Sequence, residues 1–360
     1  MAATLAVFGV AAVYGASSIW ALQNGQPGSV FATRQLVGVV AGVALLLVGA
    51  RLDYQLWRRY AWGVLGGTAL LLIVPLLPVP ESVAPEINGA RRWVDLWVVR
   101  IQPSEFARFA VVAWVAMLAA KKGTGIREFR RGLLPFLVIL VPLTVLVLLE
   151  PDLSSATVLV LLAGIVLFAA GAKIGHFLLL GVVAIPIAWY EIASVQYRLA
   201  RMVTFLSPGA DVAEASWQIE QSLIGIGAGQ LFGVGFGEGL QKLGYLPYAY
   251  SDFIFSTIGE EWGFLGVTLI VVLFALYIWL GLRIARTARD AFGRLLATGV
   301  TSMVALGALL HIGVTMALIP ATGVNLPFIS YGRSSLLTSM FATGVLISVA
   351  HARNRSHTRR

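Results

Sequence analysis

Long apolar stretches broken by short polar clusters run through the chain from its first residues. They fall at roughly 2–22, 36–50, 61–79, 104–120, 133–149, 153–172, 176–190, 262–282, 295–320 and 334–350. A helix crossing hydrocarbon needs about 20 such residues. The pattern therefore predicts an all-α polytopic membrane protein of about ten transmembrane helices. Several blocks contain Gly or Pro, which transmembrane helices tolerate where neighbours repair the backbone bonding. The first block has no basic n-region and no convincing cleavage site, which predicts a retained span rather than a cleaved signal peptide.

Lys and Arg orient the pattern. With the N-terminus inside, 17 of the 26 basic residues fall in cytoplasmic segments, among them Arg58, Arg59, Lys121, Arg130, Arg131 and Arg286. Acidic residues do the reverse, with only Asp53, Glu128 and Asp290 inside. The basic bias sets orientation and the acidic count adds little. Removing one span would scramble the partition, so both termini are expected in the cytoplasm. Residues 1–350 then form one transmembrane domain, and 351–360 a short basic cytoplasmic tail.

Composition agrees: 58% of the 360 residues are hydrophobic and 12% are charged, against about 25% charged in soluble domains. The net charge of +9 follows from the orienting residues rather than from a nucleic-acid partner. The absence of cysteine excludes disulfides, thiolate metal sites and cysteine nucleophiles.

Two outer loops stand out, 80–103 and the larger 191–261 between spans seven and eight. The larger holds the apolar run Trp217 to Phe232 and a series of glycines on odd-numbered positions from Gly225 to Gly239. So many apolar groups must pack at the bilayer interface or among the helices. The series lacks the Lys-Ser/Thr ending of a phosphate-binding loop, so no nucleotide is expected. The four histidines lack zinc-site spacing, and His311 reads as a packing residue.

Charges beside apolar helices are the candidates for chemistry, because they are costly there unless paired or wet. Asp252 opens the apolar helical run into span eight, on a face with Ser256, Gly259 and Gly263. It reads equally as a general base, a cation ligand or a helix cap. Glu260 lies partway round that helix, and Glu261 points almost oppositely. Glu105 and Arg108, three residues apart after Pro103, can share one face as a structural pair or line a polar cavity. Glu150 and Asp152 flank Pro151, and Asp152 reads first as a helix cap. Arg91, Arg92, Arg100, Arg198, Arg201 and Lys242 are basic on the acidic side. Guanidinium groups pair well with phosphate oxygens, so an anionic ligand is expected there, Arg198 and Arg201 foremost.

Six segments in order carry a resemblance over nearly the whole chain: NGARRWVDLWVVRIQPSEFAR at 88–108, EPDLSSA at 150–156, YRLARMVTFLSP at 197–208, QSLIGIGAGQLFGVGFGEGLQKLGYLP at 221–247, SDFIFSTIGEEWG at 251–263 and LPFISYGRSSLL at 326–337. They resemble the SEDS family, the polytopic peptidoglycan glycosyltransferases of cell elongation, division and sporulation. QKLGYLP followed by IGEE is more similar to the division type. The resemblance implies an inverting polymerase of lipid II in the bacterial cytoplasmic membrane. Its catalytic side would face outward and form β-1,4-linked glycan. Asp252 corresponds to the essential aspartate of an HTDFIF-like motif, Glu105 and Arg108 to a QPSExxK-like motif, and Arg198 and Arg201 to YRxxR. Three departures stand out: Tyr248 and Tyr250 replace a carboxylate and an imidazole, Arg108 replaces lysine, and Arg333 replaces a glycine. The resemblance leaves room for Mg²⁺ or Mn²⁺ near Asp252. It also implies lipid II and an undecaprenyl-pyrophosphate-linked glycan as substrates, and a class B penicillin-binding protein and other division-complex membrane proteins as partners. The chain has no SxxK motif for crosslinking. A lipid-linked precursor transporter and a non-enzymatic division scaffold fit the physical pattern as alternatives.

Overall fold

The structure, a computed structural model, describes residues 1–87, 89–96, 100–207 and 213–357. Asn88, 97–99, Pro208, Arg359 and Arg360, used above, lie outside the described residues. The helices are α1 (Ala2–Gln23), α2 (Val30–Arg51), α3 (Gln55–Ile73), α4 (Pro103–Lys122), α5 (Leu134–Leu149), α6 (Leu153–Ala169), α7 (Ile174–Ala193), α8 (Gln196–Leu206), α9 (Ala213–Ala228), α10 (Ile254–Arg286), α11 (Ala291–Thr315) and α12 (Arg333–His357). Among the described residues nine helices are long and apolar enough to cross a membrane; α6 is the shorter tenth.

The ten predicted blocks are all found; several helices overrun them, while α3, α6 and α11 end at Ile73, Ala169 and Thr315, short of the predicted 79, 172 and 320. Span two was predicted at 36–50, yet α2 starts at Val30 and takes in Arg34. Hydropathy marks only the part of a helix that suits hydrocarbon, and a helix runs on into the interface on either side. The tail is likewise not separate, because α12 continues helically to His357. The outer loop 80–103 holds two antiparallel hairpins, β1 (Glu86–Ile87) with β2 (Ala90–Arg91) and β3 (Val94–Asp95) with β4 (Arg100–Ile101). The larger loop is mostly helical, since α8, α9 and the start of α10 all lie within 191–261.

The chain divides into two compact units. One comprises 44–184, 278–304 and 337–360. At its heart is α4, buried along most of its length. Trp114 is fully enclosed, edge-on to Trp62 at 5.3 Å and to Phe136 at 5.7 Å. Small residues let helices touch: a Cβ on Gly344 would run into the backbone carbonyl of Leu46.

The other unit comprises 1–43, 185–277 and 305–336. Its defining feature is a break in α10 that the apolar pattern does not betray. Gly263 has φ 64° and ψ −162°, outside helical geometry. The backbone groups released there are taken up by the glycine-rich segment. Phe264 N–H donates to Gln230 O at 2.8 Å, and Leu265 N–H to Leu231 O at 3.2 Å. In return Val234 N–H donates to Glu260 O at 2.9 Å, and Gly235 N–H to Glu261 O at 3.2 Å. Gly233, at φ 84°, lies against the Glu261 carbonyl with no room for a side chain. One face of the apolar run Trp217 to Phe232 packs on α10, where Ile226 of α9 meets Gly259, while Trp217, Leu223, Ile224, Leu231 and Phe232 stay exposed.

Gly233→Ala should lower thermal stability by more than the ~1–2 kcal/mol of a left-handed alanine, because the new methyl group also meets backbone. Gly181→Ala, with open space around it, is the control. Thermal unfolding of the two variants in detergent measures the difference; equal melting points would remove the role given to Gly233.

Candidate active site

Asp252 does not start a helix. It sits in a turn before α10, with its N–H donating to Tyr248 O at 3.0 Å. The predicted face is also broken, since Ser256 bonds Ser222 while Gly263 is the kink. Three sets of contacts hold the turn. Phe253 enters an apolar cluster with Leu246, Ala249 and Val314, flanked by Ile219, Ile319 and Ala321. Tyr331 N–H donates to Tyr250 O at 3.0 Å. Ser330 Oγ donates to Ser251 O at 2.7 Å while accepting from Leu326 N–H at 2.9 Å. The Ser330 loop is held in turn by the buried Gln35 of α2, whose Nε2 donates to Ser330 O at 3.2 Å.

Facing Asp252 is the extended stretch 320–325. A Cβ on Gly323 would stand 3.4 Å from Asp252 Oδ2, so a larger residue would crowd the carboxylate. Arg201 Nη1 donates to Ala321 O at 3.3 Å, bringing a guanidinium to the same stretch. His311 Nδ1 lies 2.8 Å from Val324 O. A carbonyl only accepts, so Nδ1 carries the hydrogen, and the buried His311 holds this stretch through Val324. Asp252 and Arg201 are therefore brought to one wall by Ala321 and Gly323.

Two of the other outer cations, Arg198 and Lys242, are committed elsewhere. Arg198 is buried, and its Nη1 meets Glu191 Oε2 at 3.0 Å and Glu191 O at 3.1 Å, with Tyr197 alongside. Lys242 is buried against Glu261 Oε1 at 3.2 Å and also donates to Gly237 O. Both were expected to face an anion, and both have acids as partners. Glu260 accepts from Leu240 N–H at 2.7 Å and Gln241 N–H at 3.3 Å. Glu260 and Glu261, predicted to diverge, both serve the 237–242 segment because that segment wraps round α10. Glu261 packs so closely on α1 that a Cβ on Gly15 would be 2.7 Å from its Oε2. The doubled acid of IGEE was the available signal for Glu261; for Glu191 there was none beyond its charge beside an apolar helix.

Tyr250 lies among Phe31, Trp20 and Tyr331, with ring centroids 4.9, 5.8 and 5.8 Å away. Burial pushes its hydroxyl up to about 12, helped by Tyr248, Tyr331 and Asp252. It is a neutral aromatic wedge where the family pattern has an imidazole. Tyr248 precedes it at φ 56° and is half-exposed.

In the unit built on α4, Arg108 Nη1 meets Glu105 Oε2 at 2.9 Å, both side chains buried, as their spacing predicted. Removing one partner of such a pair costs roughly 3–5 kcal/mol. Asp152 caps α6 as expected, accepting from Ser155 N–H at 2.9 Å, and also takes Gln102 Nε2 at 3.0 Å. Glu150 was named from the sequence as a neighbour of Pro151 but given no role of its own. It is fully buried with neither carboxylate oxygen hydrogen-bonded. Burial, then the charge of Asp152, push it up to about 9, against the opposing pull of Arg92.

A many-helix membrane fold that sets one carboxylate on a braced turn opposite an arginine-bearing wall defines a class: membrane-embedded enzymes acting on substrates at the bilayer. The family model for FtsW/RodA/SpoVE cell cycle proteins matches residues 1–355, and the chain belongs to that family. It is 42% identical over 350 residues to the probable peptidoglycan glycosyltransferase FtsW of Trichlorobacter lovleyi, covering 97% of this chain and 91% of the relative. It is 39% identical over 346 residues to stage V sporulation protein E of Bacillus subtilis, covering 96% and 94%. Among solved structures, one described as "Structural coordination of polymerization and crosslinking by a peptidoglycan synthase complex" aligns at TM-score 0.75 and 27% identity, covering 97% of each chain. Rod shape determining protein RodA of Thermus thermophilus aligns at TM-score 0.66 and 27% identity, covering 97% of this chain and 96% of that one.

Two outcomes follow. Glu150 releases its proton less readily when folded, so the folded chain holds more protons between the ordinary carboxylate range and pH ~9, and stability falls as pH rises through that window. Glu150→Gln should raise the melting temperature at pH 8 and leave it nearly unchanged at pH 4; an equal shift at both would contradict a neutral Glu150. Ser330→Ala should leave the Leu326 N–H and Ser251 carbonyl without their partner, costing about 1–3 kcal/mol. It should also lower turnover several-fold, whereas Ser330→Thr retains it.

Proposed function

We propose that the chain polymerises lipid II into β-1,4-linked glycan at the outer face of the bacterial cytoplasmic membrane, with both termini inside, for septal wall synthesis. Relatives are named probable peptidoglycan glycosyltransferases, and this chain shares their family and activity. The observation that supports Asp252 as its base is the braced turn: backbone contacts from Ser330 and Tyr331 on one side, the Arg201-bound stretch on the other. The growing glycan is held by its undecaprenyl pyrophosphate. The 4-hydroxyl of the incoming sugar attacks the anomeric carbon from the face opposite that leaving group. A new C1–O bond forms, the bond to pyrophosphate oxygen breaks with its electron pair, and Asp252 takes the hydroxyl proton. The α-linked donor thus gives a β-linked product. Arg201, with guanidinium donors beyond the one on Ala321, offsets charge on the departing pyrophosphate.

Among the described residues, no three His, Asp or Glu side chains gather to hold a metal. Asp252 would offer a single carboxylate to Mg²⁺ or Mn²⁺ brought in on the substrate pyrophosphate, since Mg²⁺ is commonly held by one or two carboxylates together with phosphates. When bound, the ion would supply further neutralisation of the leaving group.

A class B penicillin-binding protein is the proposed partner. One structural relative comes from a peptidoglycan synthase complex described for its coordination of polymerization and crosslinking.

Asp252→Ala protein, co-purified with its transpeptidase and given lipid II on the outer face alone, should retain its melting temperature and form no glycan. Wild type should form glycan even when the transpeptidase serine is replaced. Normal polymerisation by Asp252→Ala sinks the base assignment, and lipid II crossing without product would mark a transporter instead.

A further inference from the structure

At the opposite ends of α3 and α4 from the hairpin loop, a cleft of about 450 Å³ is lined by Gln55, Arg58, Arg59, Met117 and Lys121. The basic bias assigns this end to the cytoplasm. Two helix faces converge there. On α3, residues 55, 58, 59 and 62 lie on one side; on α4, residues 114, 117 and 121 do. Arg58, Arg59 and Lys121 are exposed and occupy the rim. Beneath them, one turn deeper, Trp62 lies edge-on to Trp114 at 5.3 Å. Met117 is buried as the floor, while Trp62 remains half-exposed.

The acids in reach do not neutralise this rim. Asp290 accepts from Tyr54 Oη at 2.8 Å, Gln55 Nε2 at 2.5 Å and Gly293 N–H at 2.7 Å. Burial and that bond to Asp290 push the Tyr54 hydroxyl up to about 12, keeping it a donor. Asp53 caps α3 through Gln55 N–H at 2.9 Å. Among the described residues no ion pair reaches Arg58, Arg59 or Lys121. Orienting charge explains why cations lie at this end. It does not explain three of them round one cleft, with the neighbouring carboxylates turned to other donors and an open indole just below.

We propose that this cleft binds the headgroup of an anionic glycerophospholipid of the inner leaflet. Its phosphate sits among Arg58, Arg59 and Lys121, and its glycerol and upper acyl carbons lie over Trp62. Guanidinium forks suit phosphate oxygens, and basic pockets between transmembrane helices are suited to anionic headgroups. The site is separate from Asp252 and does not depend on the polymerase reading.

The test uses the full chain in phosphatidylcholine vesicles with increasing phosphatidylglycerol whose acyl chains are brominated near the headgroup. The quenching owed to Trp62 is the difference between wild type and Trp62→Phe. It should saturate at lower mole fraction with brominated phosphatidylglycerol than with brominated phosphatidylcholine. Each of Arg58→Gln, Arg59→Gln and Lys121→Gln should weaken the lipid about fivefold, as expected for one juxtamembrane charge. The triple variant should abolish the preference while leaving phosphatidylcholine quenching unchanged. An equal preference in the triple variant, or none in wild type, overturns the proposal. Displacement by excess inorganic phosphate overturns it in favour of a free-anion site.

Discussion

A helix interrupted within a membrane protein releases carbonyl and N–H groups that hydrocarbon cannot satisfy. In this chain that constraint falls on Gly263, and much of one unit is arranged to meet it. The glycine-rich segment supplies the missing partners from Gln230 to Gly235. To do so its backbone must lie directly on α10, where side chains would intrude. Once wrapped there, the segment places Lys242 against Glu261, and the Leu240 and Gln241 N–H groups against Glu260. The charged residues of IGEE thus secure the wrapping rather than the chemistry.

The turn that carries Asp252 has a different support. Its apolar underside is Phe253; its backbone is tied to residues 330 and 331; its facing wall is tied to Arg201 and His311. No one of these interactions is strong. Acting together they fix a carboxylate whose own segment lacks regular structure, which is what positioned chemistry requires. Tyr250 belongs to this support. Its ring fills the aromatic cage of Trp20, Phe31 and Tyr331, and its hydroxyl stays protonated through the physiological range.

The spans, the start of α4 at Pro103, the Glu105–Arg108 pair and the Asp152 cap were legible because each depends on local spacing. The site's framework was less so. The apolar run across Gly263 reads as one helix, since hydropathy is blind to a backbone break that the chain itself repairs. Extending the helix back through Asp252, which α10 does not include, put the carboxylate on a helical face that the chain does not form. Arg198 and Lys242 looked free because their partners, Glu191 and Glu261, were identifiable only through tertiary contact. Glu150 was passed over because its burial without a donor is a property of three dimensions. The family motifs pointed to Asp252, but the contacts from Ser330 and Gln35 come from segments 79 and 295 residues distant from their partners.

That separation has a consequence during biosynthesis. The ribosome delivers the chain from its N-terminus at roughly 5–20 residues per second. The carboxylate therefore enters the membrane with α10 several seconds before residues 321–331 exist to face and brace it. Until they arrive, the turn has only part of its apolar underside, since Ala321 lies in the missing stretch and Val314 and Ile319 come just before it. A chain truncated anywhere between α10 and α12 would carry every charged member of the site and still lack the site. The order of translation thus delays the bracing of the Asp252 turn until the segment just before α12 has been made.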